Sequence, residues 1–129
     1  MINELAKQVH QNAKEKGFFD NEKNIGEMLC LIHSEVSEAL EADRKDHYAV
    51  KSWNIENNVS VNNLETSEDI RYFQQEFEVA IKNSFEDELA DIMIRVMDLA
   101  AYKGIDLEYH IKMKMLYNSL RQHKHGKKY

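Results

Sequence analysis

Apolar side chains recur along this chain at helical rather than strand spacing. Ile2, Leu5, Ala6, Val9 and Ala13 form one stripe, which predicts a helix over residues 2–16 ending at Gly17. The aromatic pair Phe18 and Phe19 and a turn at Asp20 and Asn21 follow. Ile25, Met28, Leu29, Ile32, Val36, Ala39 and Leu40 keep the i, i+3, i+4, i+7 pattern and predict a second helix over residues 22–45. Residues 46–66 are rich in asparagine and lose any sustained period, so they read as a long loop with a short hairpin around residues 55–61. Loops this long in compact domains tend to be functional or mobile. A shorter amphipathic helix fits residues 67–82, with Ile70, Phe73, Phe77 and Ile81 on one side. Ser84 then offers an N-cap, with Asp87 as its capping-box partner, to a helix over residues 85–103. Gly104 ends that helix as a C′ residue. A last helix over residues 106–121 leads into the basic tail HKHGKKY. The expected fold is therefore all-α, a bundle of four to five helices.

Composition narrows the picture. A chain of 129 residues suits one compact domain. It has no proline and only four glycines, which favours long helices over many turns. A hydrophobic share of 43% and a charged share of 31% read as soluble and globular. The net charge of −6 argues against nucleic-acid binding, which needs a basic face. The single cysteine, Cys30, has no intrachain disulfide partner, which fits a reducing compartment. No apolar run approaches the ~20 residues of a membrane span, and MINELAKQVH lacks a secretory core, so no membrane partner and a cytoplasmic location are expected.

The candidate chemistry lies in acidic pairs. Within LIHSEVSEAL, Glu35 and Glu38 stand one helical turn apart, and FEDELADIMIRV repeats the spacing with Glu88 and Asp91. At about 100° per residue, taking Ile25 as zero, Glu35 falls near 280° and Glu38 near 220°. Taking Phe85 as zero, Glu88 falls near 300° and Asp91 near 240°. Each pair thus flanks its apolar stripe on the same hand. If the two helices pack antiparallel with their stripes facing, all four carboxylates share one rim. Solvated acids on amphipathic helices are the alternative, and these usually carry a lysine or arginine four residues on. Only Asp91 has one, Arg95. Clustered acids at a core edge need a cation, and oxygen ligands select hard ions such as Mg²⁺ or Mn²⁺. A di-iron site is disfavoured because the chain contains no Glu-x-x-His.

NIGEMLCLIHSEVSEALEADR followed by FEDELADIMIRVMDLAAYKGIDLEYHIKMKMLYNSLRQHKHGKKY resembles the MazG-like all-α nucleoside triphosphate pyrophosphohydrolases. The likeness covers about residues 3–45 and 84–129 and rests on the order of a Glu-Glu-x-x-Glu helix, a Glu-x-x-Asp helix and a Lys…Asn-x-x-Arg helix with a terminal His-Gly-Lys. It implies a single domain, 1–129, interrupted between its two acidic helices by an insert at 46–83. It also implies Mg²⁺-dependent cleavage of (deoxy)nucleoside triphosphates to monophosphate and pyrophosphate, as nucleotide-pool house-cleaning, by a homodimer or tetramer. Glu35, Glu38, Glu88 and Asp91 match the metal-binding positions, and Glu35 or Glu38 would also activate the attacking water. Asp98, seven residues beyond Asp91, is a secondary ligand candidate. Ser34 stands where the family's first glutamate would be, and Glu38 and Glu88 are 50 residues apart, longer than the family usually shows.

Lys114, Asn118 and Arg121 match the family pattern on one side of the last helix and would contact phosphate, with arginine suited to bidentate binding. His125, Gly126 and Lys127 would close over it. For the base, His10 and Phe19 rank first, ahead of Phe18 and Trp53. Met93, Met97, Met113 and Met115 read as core or interface filler. Two rivals stay open: a narrower enzyme of dUTPase-like or phosphoribosyl-ATP pyrophosphatase-like type, and a non-catalytic acidic helical interaction protein.

Overall fold

The computed structural model describes residues 1–51 and 64–128. The expected hairpin around residues 55–61 and the candidate Trp53 lie outside these. Among the described residues the fold is all-α, without a strand: α1 (Ile2–Glu15), α2 (Ile25–Arg44), α3 (Ser67–Ala80), α4 (Phe85–Tyr102) and α5 (Leu107–Ser119), then a short 3₁₀ turn, His123–Gly126. No helix among them is long and apolar enough to cross a membrane.

Local chemistry explains where the helices begin and end. The Asn24 side chain accepts from the Glu27 N–H at 3.2 Å, and α2 starts there rather than at residue 22. Thr66 and Asp69 form a reciprocal capping box at the start of α3. Ser84 Oγ accepts from the Asp87 N–H at 3.2 Å, as the expected N-cap of α4. The Asp87 carboxylate, however, takes the Asn83 N–H rather than that of Ser84. Gly17 (φ 82°) and Gly104 (φ 66°) close α1 and α4 with the paired hydrogen bonds of a Schellman turn. Asp46 does the same for α2 at φ 55°: its N–H bonds the Asp43 carbonyl and that of His47 bonds the Ala42 carbonyl.

The chain divides into two compact units, residues 1–28 with 94–129 and residues 29–93. In the first, α1 packs on α5. Asn3 ties their starts together, donating to Asp106 Oδ1 at 2.7 Å and accepting the Glu108 N–H at 3.1 Å. Ala6, Met97 and Ala100 are its buried apolar residues. In the second unit, the segment after α2 is stitched to the α3–α4 junction. The His47 carbonyl accepts from the Phe85 N–H, the Ala49 N–H reaches Glu86 Oε2, and the Val50 N–H reaches the Ala80 carbonyl.

The buried face of α2 is not the one the apolar pattern suggests. Its buried residues are Glu35, Ala39 and Ala42, whereas Leu29, Val36 and Leu40 are each about half exposed. In the angular frame used above, the buried arc spans roughly 260–320° and the exposed apolar stripe roughly 20–60°. Alanines allow closer approach than leucines, so this face packs through small side chains and takes Glu35 with it. Glu35 therefore sits in the middle of the buried arc, not at its edge.

Candidate metal centre

Helices α2 and α4 supply the site. Glu35 on α2 is 6% exposed and Glu88 on α4 is 4% exposed, while Asp91, one turn beyond Glu88, is half-buried. One carboxylate oxygen from each of the three lies within 4.8 Å of the others. That spacing is what three oxygens around one ion require, since ligand distances are about 2.0–2.6 Å. The geometry anticipated from the two i, i+3 pairs is thus present for three of the four acids. Glu38 is exposed and outside this compact group, though its charge still acts on Glu88.

Glu88 is the electrostatic centre of the cluster. Desolvation, reinforced by the charges of Glu38, Asp91, Glu35 and Asp87, pushes its carboxyl up to about 6. Its Oε2 is buried and has no hydrogen-bond partner among the described residues. A buried acceptor left unpaired costs roughly 1–3 kcal/mol, more when charged. A hard divalent cation fits this donor set: it would satisfy the orphan oxygen and offset the mutual repulsion of three carboxylates. Oxygen donors alone do not tell Mg²⁺ from Mn²⁺.

The other candidates from the sequence among the described residues belong to the unit of residues 1–28 and 94–129. Asp98, weighed as a further ligand, is hydrogen-bonded to His10, with Oδ1 at 2.7 Å from Nδ1. His10 meets Phe19 edge-on with centroids 4.6 Å apart, and Phe19 lies 5.1 Å from Tyr102. These four form a part-buried cluster within the unit of residues 1–28 and 94–129, with Lys23 over the Phe19 ring. In the same unit, Lys114 Nζ and the Arg121 guanidinium both lie over the ring of Tyr117, at 5.1 and 5.7 Å. That shared ring holds the two cations on one side of α5 and its C-terminal end. Asn118 is half-buried and Lys127 exposed.

The pattern of the sequence did not single out a cleft of about 390 Å³ beside the carboxylates. Its wall runs from Phe73 and Phe77 on α3, through Lys82 and Asn83, to Asp91 itself. The one available signal was the i, i+4 phenylalanine pair, which reads equally well as core. No family model matches this chain, and searches of curated proteins and of solved structures find none that matches it.

Proposed function

We propose that this chain is a divalent-metal-dependent pyrophosphohydrolase that splits (deoxy)nucleoside triphosphates into monophosphate and pyrophosphate, clearing unwanted members of the nucleotide pool. The observation that carries this reading is the three-carboxylate cluster, one member of which, Glu88, also has a buried oxygen without a hydrogen-bond partner among the described residues. The resemblance to MazG-like enzymes, whose motif acids fall on these residues, supports the choice of substrate. Glu35, Glu88 and Asp91 would hold Mg²⁺ or Mn²⁺. A bound ion there neutralises polyphosphate charge and lowers the pKa of a coordinated water.

Glu38, exposed beside the cluster, is the carboxylate outside that compact group and the preferred acceptor of the water's proton. The resemblance assigns the phosphate contacts to Lys114, Asn118, Arg121 and Lys127, whose side chains are donors suited to phosphate oxygens. Self-association is part of the proposal, supported by the exposed stripe Leu29, Val36 and Leu40 on α2, a face that a second copy would cover.

The test is pyrophosphate release from a panel of (d)NTPs with Mg²⁺. Wild type should release it, Glu38→Gln should lower kcat about 100-fold or more, in the range for losing a general base, and Asp91→Asn should lower both Mg²⁺ affinity and activity. A single accepted nucleotide would favour the narrower enzyme. Protein that binds no Mg²⁺ and cleaves no nucleotide would leave the acidic interaction protein as the reading.

A further inference from the structure

Resting on that function, we propose that the cleft lined by α3, the α3–α4 link and α4 is where the base of the nucleotide binds. Its wall includes Asp91, one of the three clustered acids, so cleft and cluster share a residue. A nucleotide whose phosphates sit at the cluster has this cleft within reach of its other end.

The lining is chemically graded. Phe73 and Phe77, half-buried, have ring centroids 5.9 Å apart and planes inclined at 45°. They offer apolar ring surface to a flat ligand. Every base has such a face, and stacking on aromatic side chains is tolerant of base identity. Gln74 and Asn83 add amide groups, each able to donate and to accept, which suits the mixed edge of a base. The charged residues of the wall are the acids Glu78, Asp87 and Asp91 and the cation Lys82. Lys82 faces the Glu78 carboxylate at 4.0 Å. An acidic balance repels a bare polyanion, so the neutral end of the ligand belongs in the cleft and the phosphates at the cluster. The volume of about 390 Å³ lies within the range of small-ligand sites. The phenylalanines, the glutamine and the lysine all come from the segment at 46–83, which the family likeness does not cover. Specificity would therefore be a property of this chain's own insert.

The experiment compares wild type with Phe77→Ala, Phe77→Trp and Gln74→Ala, the last at an exposed position that leaves folding intact. Mn²⁺ affinity is read by EPR, imidodiphosphate affinity by calorimetry in Mg²⁺, and KM and kcat on each dNTP. Phe77→Ala should raise KM about tenfold, within the range for loss of one base–aromatic stack. Mn²⁺ and imidodiphosphate affinity should stay within about twofold of wild type. Phe77→Trp should restore KM, and Gln74→Ala should change the ranking of the bases. An unchanged KM in folded Phe77→Ala, or equal loss of imidodiphosphate affinity, overturns the inference. If wild type cleaves no nucleotide, the proposed function fails, and the cleft is judged by NMR titration with nucleoside monophosphates and Mg²⁺. Shifts at Phe73 that are present in wild type and vanish in folded Phe77→Ala would uphold it, and none in wild type would overturn it.

Discussion

Replacing Glu88 by glutamine should stabilise the metal-free protein at neutral pH, the reverse of what removing a buried polar group normally does. Burial and its acidic neighbours raise this carboxyl from 4.5 to about 6. Each tenfold change in proton affinity is worth about 1.36 kcal/mol, so the rise corresponds to about 2 kcal/mol. The folded-state value lies above the unfolded one, so the native state holds the proton more tightly. The stability Glu88 contributes is therefore complete below pH ~4.5 and declines as pH rises through ~6. Above that it is gone, and the ionised group burdens the fold. A glutamine amide at this position keeps the shape and never ionises.

In EDTA at about pH 7.5 the variant should thus exceed wild type by about 2 kcal/mol, or about 7 °C in Tm for a domain of this size, with the two converging near pH ~4.5. Mg²⁺ should reverse the order. An ion at about 100 times its Kd adds about 2.7 kcal/mol to a protein that binds it only when folded, and the variant lacks one of the ligands. Guanidinium titrations from about pH 4.5 to about pH 8, with EDTA and with Mg²⁺, measure both effects. A Glu88→Gln protein less stable than wild type at every pH, with no differential response to Mg²⁺, would refute the reasoning. It would mean that Glu88 is a satisfied structural carboxylate.

Further outcomes probe the scaffold that holds the site. Ser84→Ala removes the fully buried N-cap of α4 and strands the Asp87 N–H, and should cost about 1–2 kcal/mol in chemical denaturation. Asp46→Gly relieves a left-handed residue at φ 55° and removes an acid from the C-terminal end of α2, and should raise stability by about 1 kcal/mol in the same assay. The converse change, Gly104→Ala, meets no atom within 4 Å of the added Cβ, so its cost of about 1 kcal/mol should be purely conformational. Asp98→Asn should lose the charge-assisted bond to His10 Nδ1, visible as a change in the imidazole nitrogen shifts by NMR and a loss of about 1–2 kcal/mol.

The elements were legible because helices are set by neighbours in sequence. The stripe Ile2, Leu5, Ala6, Val9 and Ala13 places α1 almost to the residue, and Ser84 and Gly104 bracket α4 where the caps require. α2 starts three residues later than apolar spacing predicts, because the Asn24 side chain turns back on the Glu27 N–H, which spacing does not reveal. Asp46 carries no mark that it will take a conformation glycine usually fills. The candidate site was legible in a more limited way. Equal spacing and equal handedness of Glu35 with Glu38 and of Glu88 with Asp91 pointed to a shared cluster, and oxygens of Glu35, Glu88 and Asp91 do converge.

What the sequence determined by itself is therefore the set of helices and the angular position of each acid about its own helix axis. Tertiary structure decided which arc of α2 is buried, that Glu38 stays exposed while Glu88 is desolvated, and that Phe73 and Phe77 share a cleft with Asp91. The reason is physical. Periodicity and capping depend on residues within a few positions, whereas burial, dielectric and cleft shape depend on what another segment places opposite. On α2 that opposing surface selects the face of small alanines and Glu35 over the leucine stripe, and so brings Glu35 together with Glu88 and Asp91.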